Sequence, residues 1–143
     1  MSDKKEFKNE FSWSFSRHNA FNTCKRKYYY SYYGSWGGWE KDADELSKKL
    51  YILNKMTSLP MLAGSIVHDE VERTLKALRY GRNADQKRSK ENVIKNFKTS
   101  WAQSKNKDWE ESPKWKTNLF EHYYDKKPTD EELLGFRDLM LNS

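Results

Sequence analysis

Residues 62–75 read LAGSIVHDEVERTL. At about 100° per residue the stretch forms a helix, with Gly64, Val67, Val71, Leu75 and Leu78 in one stripe. His68 lies on the margin of that stripe with Glu72 one turn further on, so its imidazole is expected to face protein rather than bulk water. Two roles fit such a residue. A structural histidine satisfies both ring nitrogens inside the fold, whereas a functional one ligates a metal or moves a proton. The surrounding chain has to decide between them.

The 143 residues suffice for one domain with a modest core and are short for two. Hydrophobic residues make up 36% of the chain and charged residues 34%, with a mean hydropathy of -1.13. An aromatic share of 15% nevertheless argues against plain disorder, because the apolar material is concentrated in rings. No apolar run approaches the roughly 20 residues of a membrane span, and MSDKKEFKNE contains no signal-peptide core, so a cytoplasmic protein is expected. Cys24 is the only cysteine, which excludes an internal disulfide and any four-thiolate site made by this chain alone. The net charge of +6 suits a polyanionic partner without requiring one. Residues 1–39 hold Lys4, Lys5, Lys8, Arg17, Lys25, Arg26 and Lys27 against Asp3, Glu6 and Glu10, so that end is favoured if phosphate is bound anywhere.

Outward from the central helix, residues 1–11 read as a mobile charged tail and 12–143 as a single helical unit. Ser14 or Ser16 caps a first helix running to Tyr33, with Phe21, Cys24, Tyr28 and Tyr32 at helical spacing. The run KYYYSYY also suits an extended strand. In that helix Cys24 is expected to be a small buried hydrophobe. Asp42 or Asp44 opens a second helix with the stripe Leu46, Leu50, Leu53 and Met56. The central helix stops at Gly81. Ser89 caps a fourth, carrying Val93, Phe97 and Trp101, followed by the polar linker QSKNKDWEESP and a short apolar stretch, NLFEHYY. Thr129 and Glu132 form a capping box for a last helix through Leu133, Phe136 and Met140. His18 and His122 stand apart from metal-type spacing and are assigned surface or turn roles. Alternating or continuous Val/Ile runs are missing, so the chain is read as all-α.

The cluster CKRKYYYSYYGSWGGW, residues 24–39, combines cations for phosphate, rings for base stacking and glycines for close backbone approach. The same rings could simply be core, and Lys25, Arg26 and Lys27 a solvated face.

Two segments in order, SFSRHNAFNTCKRKYYYSYYG and LAGSIVHDEVERTL, resemble the opening of PD-(D/E)XK nucleases of the RecB and CRISPR-associated exonuclease type. In that family a serine-led helix with a Cys-x-Arg motif precedes a Gly-x-x-x-His helix. The resemblance covers residues 13 to 78. It implies that His68 lies at the active site and helps hold a divalent metal, magnesium or manganese, with Gly64 its helix partner. It also implies phosphodiester hydrolysis of DNA by an Asp and a Glu-x-Lys on neighbouring strands. None of those three residues occurs here in a strand context, so no catalytic residue is assigned within the chain. Arg17, Lys25, Arg26 and Lys27 become candidate phosphate contacts. Some members bind an iron-sulfur cluster through four cysteines. Cys24 matches the first of these, but the other three are absent and Lys25 replaces a frequent proline, so a cluster is not expected from this chain.

The resulting expectation is the helical N-terminal part of a restriction-endonuclease-like α/β fold whose catalytic sheet lies beyond Ser143, inactive alone. Two alternatives stay open. One is a stand-alone helical nucleic-acid-binding module; the other is a protein-interaction bundle displaying Trp36 and Trp39.

Overall fold

A computed structural model describes residues 8–142. It is helical throughout, and among the described residues extended pairing is limited to one bridge, between Thr57 and Leu119. None of these helices is long and apolar enough to cross a membrane. The chain forms two compact units, one ending at Asn54 and the other starting at Lys55. Most of the expected charged tail, residues 1–7, lies outside the described residues.

In the first unit Ser14 caps α1 (Phe15–Thr23), its hydroxyl accepting from the Arg17 N–H at 3.3 Å. The expected single helix to Tyr33 is interrupted at Cys24, whose backbone is extended at φ -161° and ψ 109°. The run Asn22-Thr23-Cys24 is poor in helix propensity, and the Thr23 hydroxyl bonds back to the Asn19 carbonyl at 2.7 Å, which together favour a break there. Cys24 then caps α2 (Lys25–Tyr29), its sulfur accepting from the Lys27 N–H at 3.4 Å. Contrary to expectation the thiol is exposed.

Tyr30–Gly34 continue α2 as a π-helical turn, not as a strand. The extra residue in that turn gathers the rings around Tyr28, with Phe21 at 5.4 Å, Tyr32 at 5.2 Å and Tyr33 at 5.7 Å between centroids. Asp44 caps α3 (Glu45–Asn54) through the Ser47 N–H at 2.9 Å. A Cβ on Gly38 would meet the Ser47 carbonyl at 2.3 Å, so this loop reaches α3 only with glycine there. Trp39 packs on buried Tyr51, and Asn54 ties the end of α3 to the π turn through Ser31 and Ser35.

The second unit is built on α4 (Leu59–Arg79), capped by Ser58 with Pro60 in its first turn. Its buried face is Leu59, Leu62, Ala63, Ile66 and Glu70. This corrects the expected stripe: Gly64 has nothing near its Cβ position, and Val71, Leu75 and Leu78 are exposed. Helix α4 is apolar on two sides, and the core takes the side whose Leu and Ile meet α5 (Gln86–Lys105) and α7 (Asp130–Asn142). The core joins Leu62, Ala63, Ile66, Val93, Leu119 and Met140, with Phe97, Trp101 and Phe136 packed against it.

Asp85, not Ser89, caps α5, which begins three residues before Ser89. The helix extends into the expected linker as far as Lys105, and Trp109 beyond it is buried against Tyr123. The capping box of α7 is present: the Thr129 N–H donates to Glu132 at 2.8 Å and the Glu132 N–H to the Thr129 hydroxyl at 3.2 Å.

Leu119 precedes the short α6 (Phe120–Tyr123) and is fully buried. Thr57 donates to the Asn118 carbonyl and accepts from the Phe120 N–H, both at 2.9 Å, and Glu121 accepts from the Leu59 N–H at the start of α4 at 2.9 Å. His122, assigned a surface or turn role, is instead half-buried against Trp101. The buried Ser104 hydroxyl accepts from the Leu119 N–H at 2.9 Å and shares a hydrogen bond with His122 Nδ1 at 2.8 Å. Burial pushes the His122 imidazole below its ordinary range; the Glu121 carboxylate opposes this shift and Lys105 reinforces it.

Two expected outcomes follow from this packing. Leu62→Ala destabilises by about 2–5 kcal/mol in urea unfolding, whereas Leu75→Ala stays within about 0.5 kcal/mol. Because His122 binds its proton less readily folded than unfolded, its contribution is intact above about pH 6.5 and lost as pH falls through the folded value. The urea midpoint therefore drops between about pH 7 and pH 5, and this drop shrinks in His122→Gln.

Candidate functional site

His68 is placed by the same packing that buries Ile66 and Glu70. Two residues from Ile66 and two from Glu70, it points to the side of α4 opposite the core, and it is exposed. The expectation that it faces protein is thus corrected. Gly64, Val71, Glu72 and Leu75 share its outward side, which presents an imidazole amid exposed aliphatic surface.

Glu72 is held by Lys76 in an i,i+4 ion pair. That hydrogen bond, and more weakly the nearby His68, keep the Glu72 carboxyl below its ordinary range. On the core side Glu70 is bound by Arg73, whose Nε donates at 2.9 Å; this contact, helped by Ser89 and Asn92, outweighs burial and holds the Glu70 carboxyl low as well. Both acids are therefore engaged by cations of α4. Among the described residues no three His, Cys, Asp or Glu side chains come together to hold a metal ion. His68 and Glu72 offer two donors, and the residues present do not by themselves fit magnesium or manganese.

The other candidates lie in the first unit. Arg17 is stacked on the Tyr32 ring at 4.4 Å and donates to the Ser12 carbonyl at 3.0 Å, so its guanidinium also serves the local fold. Lys25 lies over Phe21 at 5.5 Å. Arg26 and Lys27 line one cleft together with Cys24, Tyr30, Ser31, Leu50, Leu53 and Asn54. The four candidate phosphate contacts are thereby split between two cations set over rings and two that line a cleft. Trp36 and Trp39 meet edge to face at 5.0 Å, both partly exposed.

Sequence reasoning missed the buried polar link of Ser104 to His122 and to the Leu119 N–H. Its only advance signal was a serine at the end of a helix and a histidine in an aromatic run. It also passed over the charge of α5, where six cations accompany a single acid.

No curated protein and no solved structure matches the chain. The family model of the PD-(D/E)XK nuclease superfamily matches residues 12–139, from the stretch before α1 almost to the end of α7 and well past the 13–78 segment that carried the resemblance. With nearly its whole length inside that match, the chain belongs to the PD-(D/E)XK nuclease superfamily.

Proposed function

We propose that this chain is the helical, substrate-engaging part of a metal-dependent DNA nuclease, and that His68 joins a magnesium or manganese centre whose carboxylates lie outside the residues described. The observation that carries the reading is the outward side of α4. It holds His68, the histidine that the sequence resemblance assigns to a metal site, beside Val71 and Leu75, which are 48% and 60% exposed. Aliphatic surface on that scale beside one ionisable ring suits a face covered by further protein. A divalent cation bound there would supply an acidified water and neutralise charge on the phosphate. The chain's own contribution is an exposed imidazole on α4, with Arg26 and Lys27 available to phosphate.

The 143-residue chain mixed with duplex DNA and manganese or magnesium is expected to leave it uncut. A polypeptide extended through strands bearing Asp and Glu-x-Lys cleaves, and His68→Ala lowers that cleavage roughly tenfold or more. Cleavage by the 143-residue chain itself overturns this division of labour.

The cleft of Arg26 and Lys27 favours a second reading, a binding module that needs no chemistry at His68. In that case nucleic-acid affinity falls steeply with salt, is weakened by Lys25→Ala with Arg26→Ala, and is indifferent to His68→Ala.

A further inference from the structure

We propose that the outward face of α5 is a phosphate-binding track for duplex nucleic acid. The inference rests on the nucleic-acid reading above for its partner and goes beyond it by assigning a surface in the second unit.

Helix α5 carries Lys87, Arg88, Lys90, Lys95, Lys98 and Lys105 against Glu91 alone. At about 100° per residue, Lys87, Arg88, Lys95, Lys98 and Lys105 fall within an arc of about 100°, with Glu91 the one acid inside it. That arc is turned away from Val93, Phe97, Trp101 and Ser104, which face the core side. All six cations are exposed, and no ion pair among the described residues holds any of them. Lys87 with Lys90, and Lys95 with Lys98, stand at i,i+3, where like charges repel. An apposed polyanion turns that repulsion into attraction. Lys90, Lys95 and Lys98, with Glu91 between them, also line a shallow cleft of about 570 Å3 that includes Ile94 and Leu141.

The form of the partner follows from what the face offers. From Lys87 to Lys105 the track runs about 27 Å at 1.5 Å per residue, comparable to about eight base pairs of duplex. No aromatic ring lies on the arc, so unpaired bases find no stacking platform there, and a duplex backbone is the better match. An anionic bilayer needs an apolar helix face to bury, and that of α5 is already spent on the core.

The test is fluorescence anisotropy of the full chain with a duplex of about 30 base pairs in EDTA, over a range of salt. Changing Lys87, Lys95 and Lys98 together to Gln is expected to weaken binding and flatten the slope of log K against log salt by about three. The same three positions changed to Arg keep the slope. The substituted side chains are solvent-exposed, and an unchanged far-UV spectrum verifies the fold. A wild-type slope in the Gln variant overturns the track while leaving the nucleic-acid reading standing. Absence of salt-dependent binding by the wild-type chain overturns both, and binding to phosphatidylserine vesicles without binding to the duplex overturns the assignment of partner.

Discussion

The buried side chain of Leu119 and the hydrogen bonds on either side of it decide how α4 is turned within its unit. Thr57 grips the backbone at Asn118 and Phe120, and Glu121 accepts from the first turn of α4 at Leu59. An N–H at a helix start needs such a partner because the helix cannot supply one. With the start of α4 held there, Leu62, Ala63 and Ile66 close over Leu119, and Val93 and Met140 complete the layer. Ser104 fixes the Leu119 N–H from below and passes the constraint to His122. Rotating α4 to bury its other apolar side would take Leu62, Ala63 and Ile66 out of that layer.

That rotation also decides the chemistry. With Ile66 and Glu70 inward, His68 is outward, and of the three acids within about a turn of it Glu70 and Glu72 are tied to Arg73 and Lys76. A histidine so placed contributes to a metal centre only through ligands brought to it. The phosphate contacts expected near the N-terminus are likewise shaped by packing, since Arg17 and Lys25 are stacked on rings while Arg26 and Lys27 remain at a cleft. The helix with the strongest charge excess is α5, in the other unit.

Much of this was legible from sequence where a local rule acts alone. The Thr129–Glu132 box, the stop at Gly81, the caps at Ser14 and Asp44, each one of two candidates in the sequence, and the Val93, Phe97, Trp101 stripe depend only on neighbours in the chain. Legibility failed where tertiary contacts choose between two local options. Helix α4 has apolar residues on both sides, and periodicity cannot say which side α5 and α7 will cover. The break at Cys24 arises from competition between side-chain and backbone hydrogen bonds over Asn22, Thr23 and Cys24, which a stripe of apolar residues does not register. His122 is held by Ser104, 18 residues away, and that distance leaves no local trace.

The central claim is that α4 turns His68 away from the core while His122 is held within it. Modification of the native chain by diethyl pyrocarbonate, read residue by residue in the mass spectrometer, tests this directly. The account predicts that exposed His68 is modified readily and His122 far more slowly. A protected His68 beside a reactive His122 would contradict it.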